Sequence, residues 1–419
     1  SKQWSRYSPR QCGQFGAAEM HILLVADGRS PITRRWVMGL QTLQHRVTLV
    51  STFPCTPLEG LEALHVLPIA FGSLGGSQIG VAGRLAHNRL RQFVGRFRSR
   101  FLFVRYWLGP LTLPQYYGRF AKLVASIIPD VVHALRIPFE GMLAASAPKD
   151  IPLIVSIWGN DLTLHAHGSP LMLRLTRTAL ERANGLMADA RRDIHLAEMW
   201  GFDGQRPHLV VPGGGGVDLI EIDRLRQVAG DIPQVGVPSG VPLVINPRGL
   251  RPGSLRSDVF FQAVPLVLQR WQNVRFVCPG MAGQKEAIEW VDKLKLHHAV
   301  RLMPFLSQTQ LWDQFLRADV MVSVGVHDGT PNSVLEGMAC GCFPVVGDIE
   351  SLREWITPGV NGLLVEPTKP QSLADAIMLA LDNPVLRTEA AAVNRELIPR
   401  RAGVNMVRAR VDAFYRRFL

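Results

Sequence analysis

The chain has 419 residues, 47% of them apolar and 19% charged, with a formal net charge of +12 at neutral pH. That length provides for two ordinary domains, and the positive balance points to polyanions, a phosphate-bearing substrate or an anionic membrane surface. No apolar run reaches the roughly 18–20 residues of a spanning helix, and five scattered cysteines without CxxC spacing exclude a disulfide framework. Cys12, Cys55, Cys278, Cys340 and Cys342 are therefore expected to be reduced, in a cytoplasm-like compartment. Cys340 and Cys342 straddle a helix end without partners, so packing is expected there rather than metal binding. Residues 1–19 are polar, contain Gly and Arg and lack an apolar signal core. They read as a disordered or peripheral extension, or as a mis-assigned start.

Met20–Ala26 reads as a buried strand with a turn at Asp27-Gly28, and Ser30-Pro31 opens a helix as cap and first turn. Gln44–Ser51 supplies a second strand. Strand–helix–strand with a tight first loop is Rossmann-like, and ligands bind at strand carboxyl ends. Asp27, Gly28 and Ser30 are thus cleft candidates; the lack of G-x-G-x-x-G disfavours a dinucleotide. Between Glu62 and Asp130 there is no acidic side chain, while Arg84, Arg89, Arg91, Arg96, Arg98, Arg100 and Arg105 interleave with Phe93, Phe97, Phe101, Phe103, Tyr106 and Trp107. Segment 84–105 suits the headgroup layer of an anionic bilayer. The plainer alternative is a helix with aromatics to the core and arginines to water. No nucleic-acid module accompanies it.

Pro129–His133 reads as a strand ending in His133, which either faces the cleft as a hydrogen-bonding group or is structural. Ile151–Ile157 runs into Trp158-Gly-Asn-Asp161. Trp158 offers a flat apolar wall for a ligand ring, and Asp161 orients a ligand hydroxyl or caps the next helix. Ala183–Ala190 with Arg191-Arg192-Asp193 forms another strand–helix junction. Pro207–Pro212 ends at Gly213-Gly214-Gly215-Gly216, a run able to pass close to a ligand or act as a hinge.

Residues 228–241 are rich in Gly and Pro without a period, which divides the chain into domains at 20–227 and 242–400, with 401–419 as a terminal helix. Val241–Asn246 starts a second sheet and is followed by Arg248, Arg251 and Arg256, whose planar forks suit phosphate oxygens. Val274–Pro279 with Gly280 is a strand and turn, and Val300–Phe305 another strand. Asp319–Ser323 leads into His327–Ser333 and then a helical pattern to Cys340. Thr330 stands at the expected N-cap and Pro331 at the first helical position. The amides of Asn332 and Ser333 are left at the positive end of a helix, where a phosphate fits. Asp328 and Glu336 bracket this anion site as fixed acceptors for sugar and ribose hydroxyls; the plainer reading is solvated acids on any α/β junction. Gly341 stops the helix, and Phe343–Val346 is the next strand. Arg408, Arg410, Arg416 and Arg417 crowd the terminal helix.

Asp328-x7-Glu336, followed by Gly337-Met-Ala-Cys-Gly341, Pro344-Val-Val346, Glu354 and Asn361–Pro367, resembles the signature of family-4 retaining glycosyltransferases. Two departures stand out: Asp328 occupies a position usually held by Glu, and Pro331 replaces a common glycine. The resemblance implies an α/β GT-B fold, with two Rossmann-like domains facing a central cleft and the C-terminal helix crossing back to the first. Loop 27–33 then faces the donor phosphates or the acceptor, and the strand end at Gly214 lies by the cleft. Trp158–Asp161 is similar to a family loop. Arg248 matches a pyrophosphate-clamping arginine, with Arg251 or Arg256 replacing an unmatched lysine. Gly280 belongs to the donor side, and the backbone around Met303 and Phe305 corresponds to the stretch that holds the base.

The implied reaction is retaining transfer from a nucleotide-diphosphate sugar to a hydroxyl of a lipid-linked or polysaccharide acceptor, by a cytoplasmic enzyme peripheral to the membrane. No Asp-x-Asp occurs, so no metal–diphosphate complex and no further cofactor are expected; arginines and amides supply the positive charge. No residue is an obvious nucleophile, so front-face transfer is expected, with His133 and Asp328 positioning the sugar. The rival readings are a GT-B epimerase or phosphorylase, or a degenerate subunit that binds sugar nucleotide or membrane.

Overall fold

The computed structural model describes residues 19–70, 98–229 and 240–419. Residues 84–97 of the basic segment, the expected N-terminal extension and most of the expected linker lie outside the described residues. Strands that are buried on both faces need near-continuous apolar runs, and His21–Ala26 (β1) is buried along its whole length. It pairs in parallel with Arg46–Ser51 (β2) on one side and Val131–Ala134 (β4) on the other. With Ala63–Val66 (β3), Leu153–Ile157 (β5), Gly185–Ala188 (β6) and His208–Val210 (β7), they form a seven-stranded sheet in the order β3-β2-β1-β4-β5-β6-β7. The second sheet has six strands in the order β10-β9-β8-β11-β12-β13. They are Leu243–Ile245 (β8), Arg275–Cys278 (β9), Val300–Leu302 (β10), Val320–Ser323 (β11), Phe343–Gly347 (β12) and Leu363–Val365 (β13). In each sheet the winding direction reverses once, between β1 and β4 and between β8 and β11. At such a reversal the loops after neighbouring strands diverge and leave a crevice at the carboxyl ends.

Helix starts follow local chemistry. Ser30 caps the Pro31–Thr42 helix, its hydroxyl accepting the Ile32 amide at 3.2 Å, with Pro31 in the first turn. Gln308–Arg317 begins with a reciprocal Ser307–Gln310 capping box. The Pro384–Ala402 helix packs on the second lobe through Ile398 and Ala402. After Gly403 the Val404–Tyr415 helix returns to the first, burying Val407, Val411, Phe414 and Tyr415 against Ile22, Trp36 and Val131. Burying each of Val407, Val411 and Phe414 contributes roughly 1.5–3 kcal/mol.

The two crossings between lobes run side by side. The Val217 amide donates to the Ala402 carbonyl at 2.7 Å, and the Val404 amide to the Val217 carbonyl at 3.0 Å. Val217 and Ile222 already pack in the second lobe's core, so the chain leaves the first lobe at the glycine run 213–216, ahead of the 228–241 stretch. Apolar contacts of the Leu219–Ala229 helix decide this, and composition could not show them. Cys340 and Cys342 are buried in the same core.

Candidate functional site

The second lobe's reversal point supplies one wall of the interlobe cleft, through the loop after β8 and the loop after β11. The Arg248 guanidinium pairs with the Asp328 carboxylate and reaches Ser323 Oγ at 3.5 Å. Ser351 Oγ donates to the Asp328 carbonyl at 2.8 Å, which fixes the loop carrying that carboxylate. Both side chains are mostly buried, yet they line a cavity of about 660 Å³ between the lobes. Arg251 and Gly280 line it too, and the ring of Phe305, 89% exposed, stands at its rim against Gly280.

Beyond Asp328 the chain enters the Asn332–Cys340 helix. The sequence predicts Thr330 as its cap; the helix begins one residue later, with Pro331 in extended geometry as the cap. The Thr330 hydroxyl is used elsewhere: it donates to the Asp189 carbonyl of the first lobe and accepts from Trp355 Nε1 at 2.9 Å. The first helical bond runs from the Val334 amide to the Pro331 carbonyl, so the amides of Asn332 and Ser333 lie ahead of it at the cavity wall. A helix end of this kind favours an anion. Glu336, one turn further, is 5% exposed and accepts from Gln308 Nε2 at 2.8 Å. Arg35 of the first lobe approaches it to 3.5 Å. Burial pushes the Glu336 carboxyl above its usual range, and Arg35 and Gln308 pull it back.

The first lobe contributes Ser30, Trp158, Asp161 and Gly214 to the same cavity, as the sequence predicts, together with Arg35, Arg136, Asn160 and Asp189. Asp161 has no exposed surface and accepts from Arg136 at 2.7 Å and from the amides of Ile137 and Trp158 at 3.1 and 3.2 Å. It braces this wall, with most of its acceptor positions taken by these three donors.

Several expectations need correction. His133 does not reach the cleft: β4 continues past it, and its imidazole lies on the face covered by the returning terminal helix. There Nδ1 meets Tyr415 Oη at 2.6 Å and Nε2 meets Ser156 Oγ at 2.8 Å, with no exposed surface. Burial lowers its pKa to about 3, so the ring is neutral. Arg256 does not line the cavity, its fork being held by Asp258 at 2.9 and 2.6 Å at the start of the Ser257–Arg270 helix. Asp27 is bound by Arg29, and Gly28 packs against Ser51 and Cys55, so neither lines the cavity. The Met303 side chain packs into the second core, while its carbonyl takes the amides of Met281 and Ala282 at 3.1 and 2.9 Å.

The lobes meet tightly. A Cβ on Gly159 would overlap the backbone of Asp328 and Gly329, and one on Gly329 would overlap the Asp189 carboxyl, so only glycines permit this approach. Asn160 Nδ2 donates to Ser254 Oγ at 2.7 Å. The Glu354 carboxylate accepts the Arg191 and Arg192 amides at 3.1 and 3.2 Å, capping the Arg191–Met199 helix from the other lobe. None of these pairings has a local pattern. Each joins residues far apart in the chain.

Away from the cleft, the Arg98–Leu108 helix exposes Phe103, Val104, Trp107 and Leu108, and Leu111 follows them on the surface. Arg105 turns inward, its guanidinium 4.8 Å from the Phe139 ring centre. The plainer alternative holds for Tyr106, which packs on the first core with its hydroxyl 2.6 Å from His165 Nδ1, and is inverted for Phe103, Trp107 and Arg105. Among the described residues no helix is long and apolar enough to cross a membrane.

Residues 27–213 match the family described as glycosyl transferase 4-like domain, and residues 253–396 match glycosyl transferases group 1. A D-inositol 3-phosphate glycosyltransferase of Kineococcus radiotolerans is 28% identical over 51% of this chain and 52% of its own length. A phosphatidyl-myo-inositol mannosyltransferase of Mycobacterium tuberculosis is 27% identical over 34% of this chain and 38% of its own. The chain thus spans about half the length, or less, of these curated relatives. Among solved structures, the Anabaena HepE protein in complex with UDP and glucose superposes with a TM-score of 0.67 at 17% identity, covering 94% of this chain and 99% of that one. Sucrose-phosphate synthase of Thermosynechococcus elongatus gives 0.70 at 14% identity, covering 95% and 99%. The two sheets, their facing cleft and both family matches together make this chain a member of the family-4 glycosyltransferases of GT-B fold.

Proposed function

We propose that the protein transfers a sugar, with retention, from a nucleoside diphosphate sugar to a hydroxyl of a lipid-linked or polysaccharide acceptor. The observation that carries this reading is the convergence of Arg248, the Asn332 and Ser333 amides and Glu336 on one interlobe cavity. The diphosphate lies across the amides and the guanidinium, which supply the positive charge that the leaving group needs. Arg251 is the second arginine of this clamp. Glu336 takes the ribose diol, and Phe305 covers the base at the rim. Asp328, released from Arg248 when phosphate takes its place, accepts a hydroxyl of the transferred sugar.

The bond from the anomeric carbon to the phosphate oxygen breaks, and the acceptor oxygen bonds to that carbon on the same face. The acceptor's proton passes to the departing phosphate. Trp158 forms the apolar wall behind the sugar, and His133 takes no part.

Relatives named for inositol phosphate and phosphatidyl-myo-inositol support an acceptor that is a phosphate-bearing polyol or its lipid. We place the protein on the cytoplasmic face of an anionic membrane. The outward Phe103, Trp107 and Leu111 and the net charge of +12 support that position. Flotation with liposomes tests it: the protein rises with anionic vesicles and stays behind with neutral ones, whereas indifference to lipid charge contradicts it. For the reaction, the purified chain is incubated with pooled nucleotide sugars and membrane extract and followed by mass spectrometry. Transfer appears as a glycosylated acceptor with release of nucleoside diphosphate. Sugar interconversion without acceptor, or phosphorolysis, would replace this reading with an epimerase or phosphorylase.

A further inference from the structure

Asp189 follows the carboxyl end of β6, and Asp193 lies in the first turn of the Arg191–Met199 helix. Asp189 is 8% exposed and Asp193 fully buried, and the two carboxyls are in hydrogen-bond contact. Asp189 Oδ1 and Asp193 Oδ2 are both buried without a donor from any other group. Two ionised carboxylates offer only acceptors, so an adjacent, desolvated and doubly ionised pair would be strongly unfavourable. A single shared proton satisfies both oxygens. Arg192 decides its location: Nε and Nη2 bond Asp193 Oδ1 at 3.1 and 2.7 Å, so Asp193 is the carboxylate and Asp189 the acid.

Directly against this acid sits the tip of the second lobe's loop. Gly329 presses on the Asp189 carboxyl so closely that no Cβ fits between them, and Thr330 donates to the Asp189 carbonyl. Asp328, the next residue back, adds a negative charge close enough to oppose ionisation of Asp189. Other charges also reach the pair. Asp161 faces Asp193 from the loop after β5, held by Arg136. In a second pocket that Asp189 also lines stand Arg191, His208, Glu354, Arg401 and Arg410.

We infer that Asp189 is a positioning residue that works as a neutral acid: sharing its proton with Asp193, it forms the seat on which the Asp328–Thr330 loop docks. Ionisation of the pair sets Asp189 against Asp328, unseats the loop and opens the cleft. Asp189 touches no reacting atom; it acts through the position of Asp328. This inference rests on the closed cleft being the form that binds donor, but the docking itself is measurable without any substrate.

The test follows lobe closure by small-angle X-ray scattering of the full chain across the neutral to alkaline range. Alongside it, the donor-turnover pH profile is measured for wild type and D189N. The Asn amide donates to Asp193 as the shared proton does, so D189N stays closed where wild type expands. The alkaline limb of its turnover profile moves up by at least about one pH unit relative to wild type. D189N that opens at the same pH as wild type, or is already open at neutral pH, overturns the inference. Infrared difference spectroscopy of the wild-type protein gives a second reading that needs no tolerated substitution. A carboxylic-acid carbonyl band persisting at neutral pH and vanishing as the protein expands supports the shared proton; its absence contradicts it. Failure of sugar transfer with the scattering behaviour intact would instead remove the proposed reaction and leave the docking seat standing.

Discussion

The two lobes share a winding pattern, yet their reversal points treat charge in opposite ways. At the first lobe's reversal point the charges pair chiefly with one another: Asp161 accepts from Arg136 and two amides, and Asp27 from Arg29. At the second lobe's ends, a helix presents its leading amides to the cavity, and Arg248 is held there by the Asp328 carboxylate and, at 3.5 Å, a hydroxyl. A shared topology thus provides the crevice, while the local balance of charge decides which edge awaits an anion. The self-satisfied edge keeps its shape. The other edge is ready to exchange a partner.

That contrast can be broken most directly at Arg248. R248A is expected to lower donor turnover by about 10³-fold, the order seen when an oriented donor to a developing anion is removed. R136A, the corresponding loss on the first lobe, should cost much less in turnover and should show chiefly as lost thermal stability, because it strands Asp161. Equal losses of turnover in the two variants would erase the distinction.

The next largest effect belongs to the seam. Adding one methyl in G329A forces the loop off Asp189, with an expected loss of turnover of about 10–100-fold. The scattering radius should increase while far-UV circular dichroism stays unchanged; a closed and active G329A would contradict the packing account. E336Q comes third. Replacing the carboxylate with an amide weakens two hydroxyl contacts, and calorimetry with nucleoside diphosphates should show about tenfold weaker binding. An unchanged affinity would remove Glu336 from the ribose.

The smallest effect on turnover is expected at His133. H133Q should leave donor turnover at neutral pH within about twofold, in keeping with a ring buried beneath the terminal helix. Its signature lies in acid stability. The folded-state pKa, lowered by burial to about 3, is below the unfolded value of about 6.5, so the unfolded chain binds the extra proton between them. Stability is therefore complete above the unfolded pKa and declines as pH falls towards the folded one. Chemical denaturation from neutral pH down to about pH 4 should show a gentler decline in H133Q than in wild type.

Much of the second lobe's edge was legible from local pattern. Strand, loop, helix start and glycine stop follow one another between Asp319 and Gly341, and the amides that reach the cavity are set by where that helix begins. The one-residue shift of its cap arose because Thr330 found partners across the seam, a competitor that a propensity argument does not contain. Of the two alternatives for His133, cleft-facing or structural, the structure bears out the second, for a related reason. Alternation shows that a strand residue points to one face, but which face is covered depends on a helix far along the chain. Asp189 and Arg35 gave no signal in the sequence, since their chemistry exists only where the lobes touch.

The central claim is that a leaving diphosphate is cradled by Arg248 and the amides at Asn332 and Ser333. A crystal structure of the full chain with a bound nucleoside diphosphate sugar tests it most directly. The account predicts phosphate oxygens within hydrogen-bonding distance of all three groups, with the Arg248–Asp328 pair separated. A diphosphate bound elsewhere, with that pair intact, would contradict it.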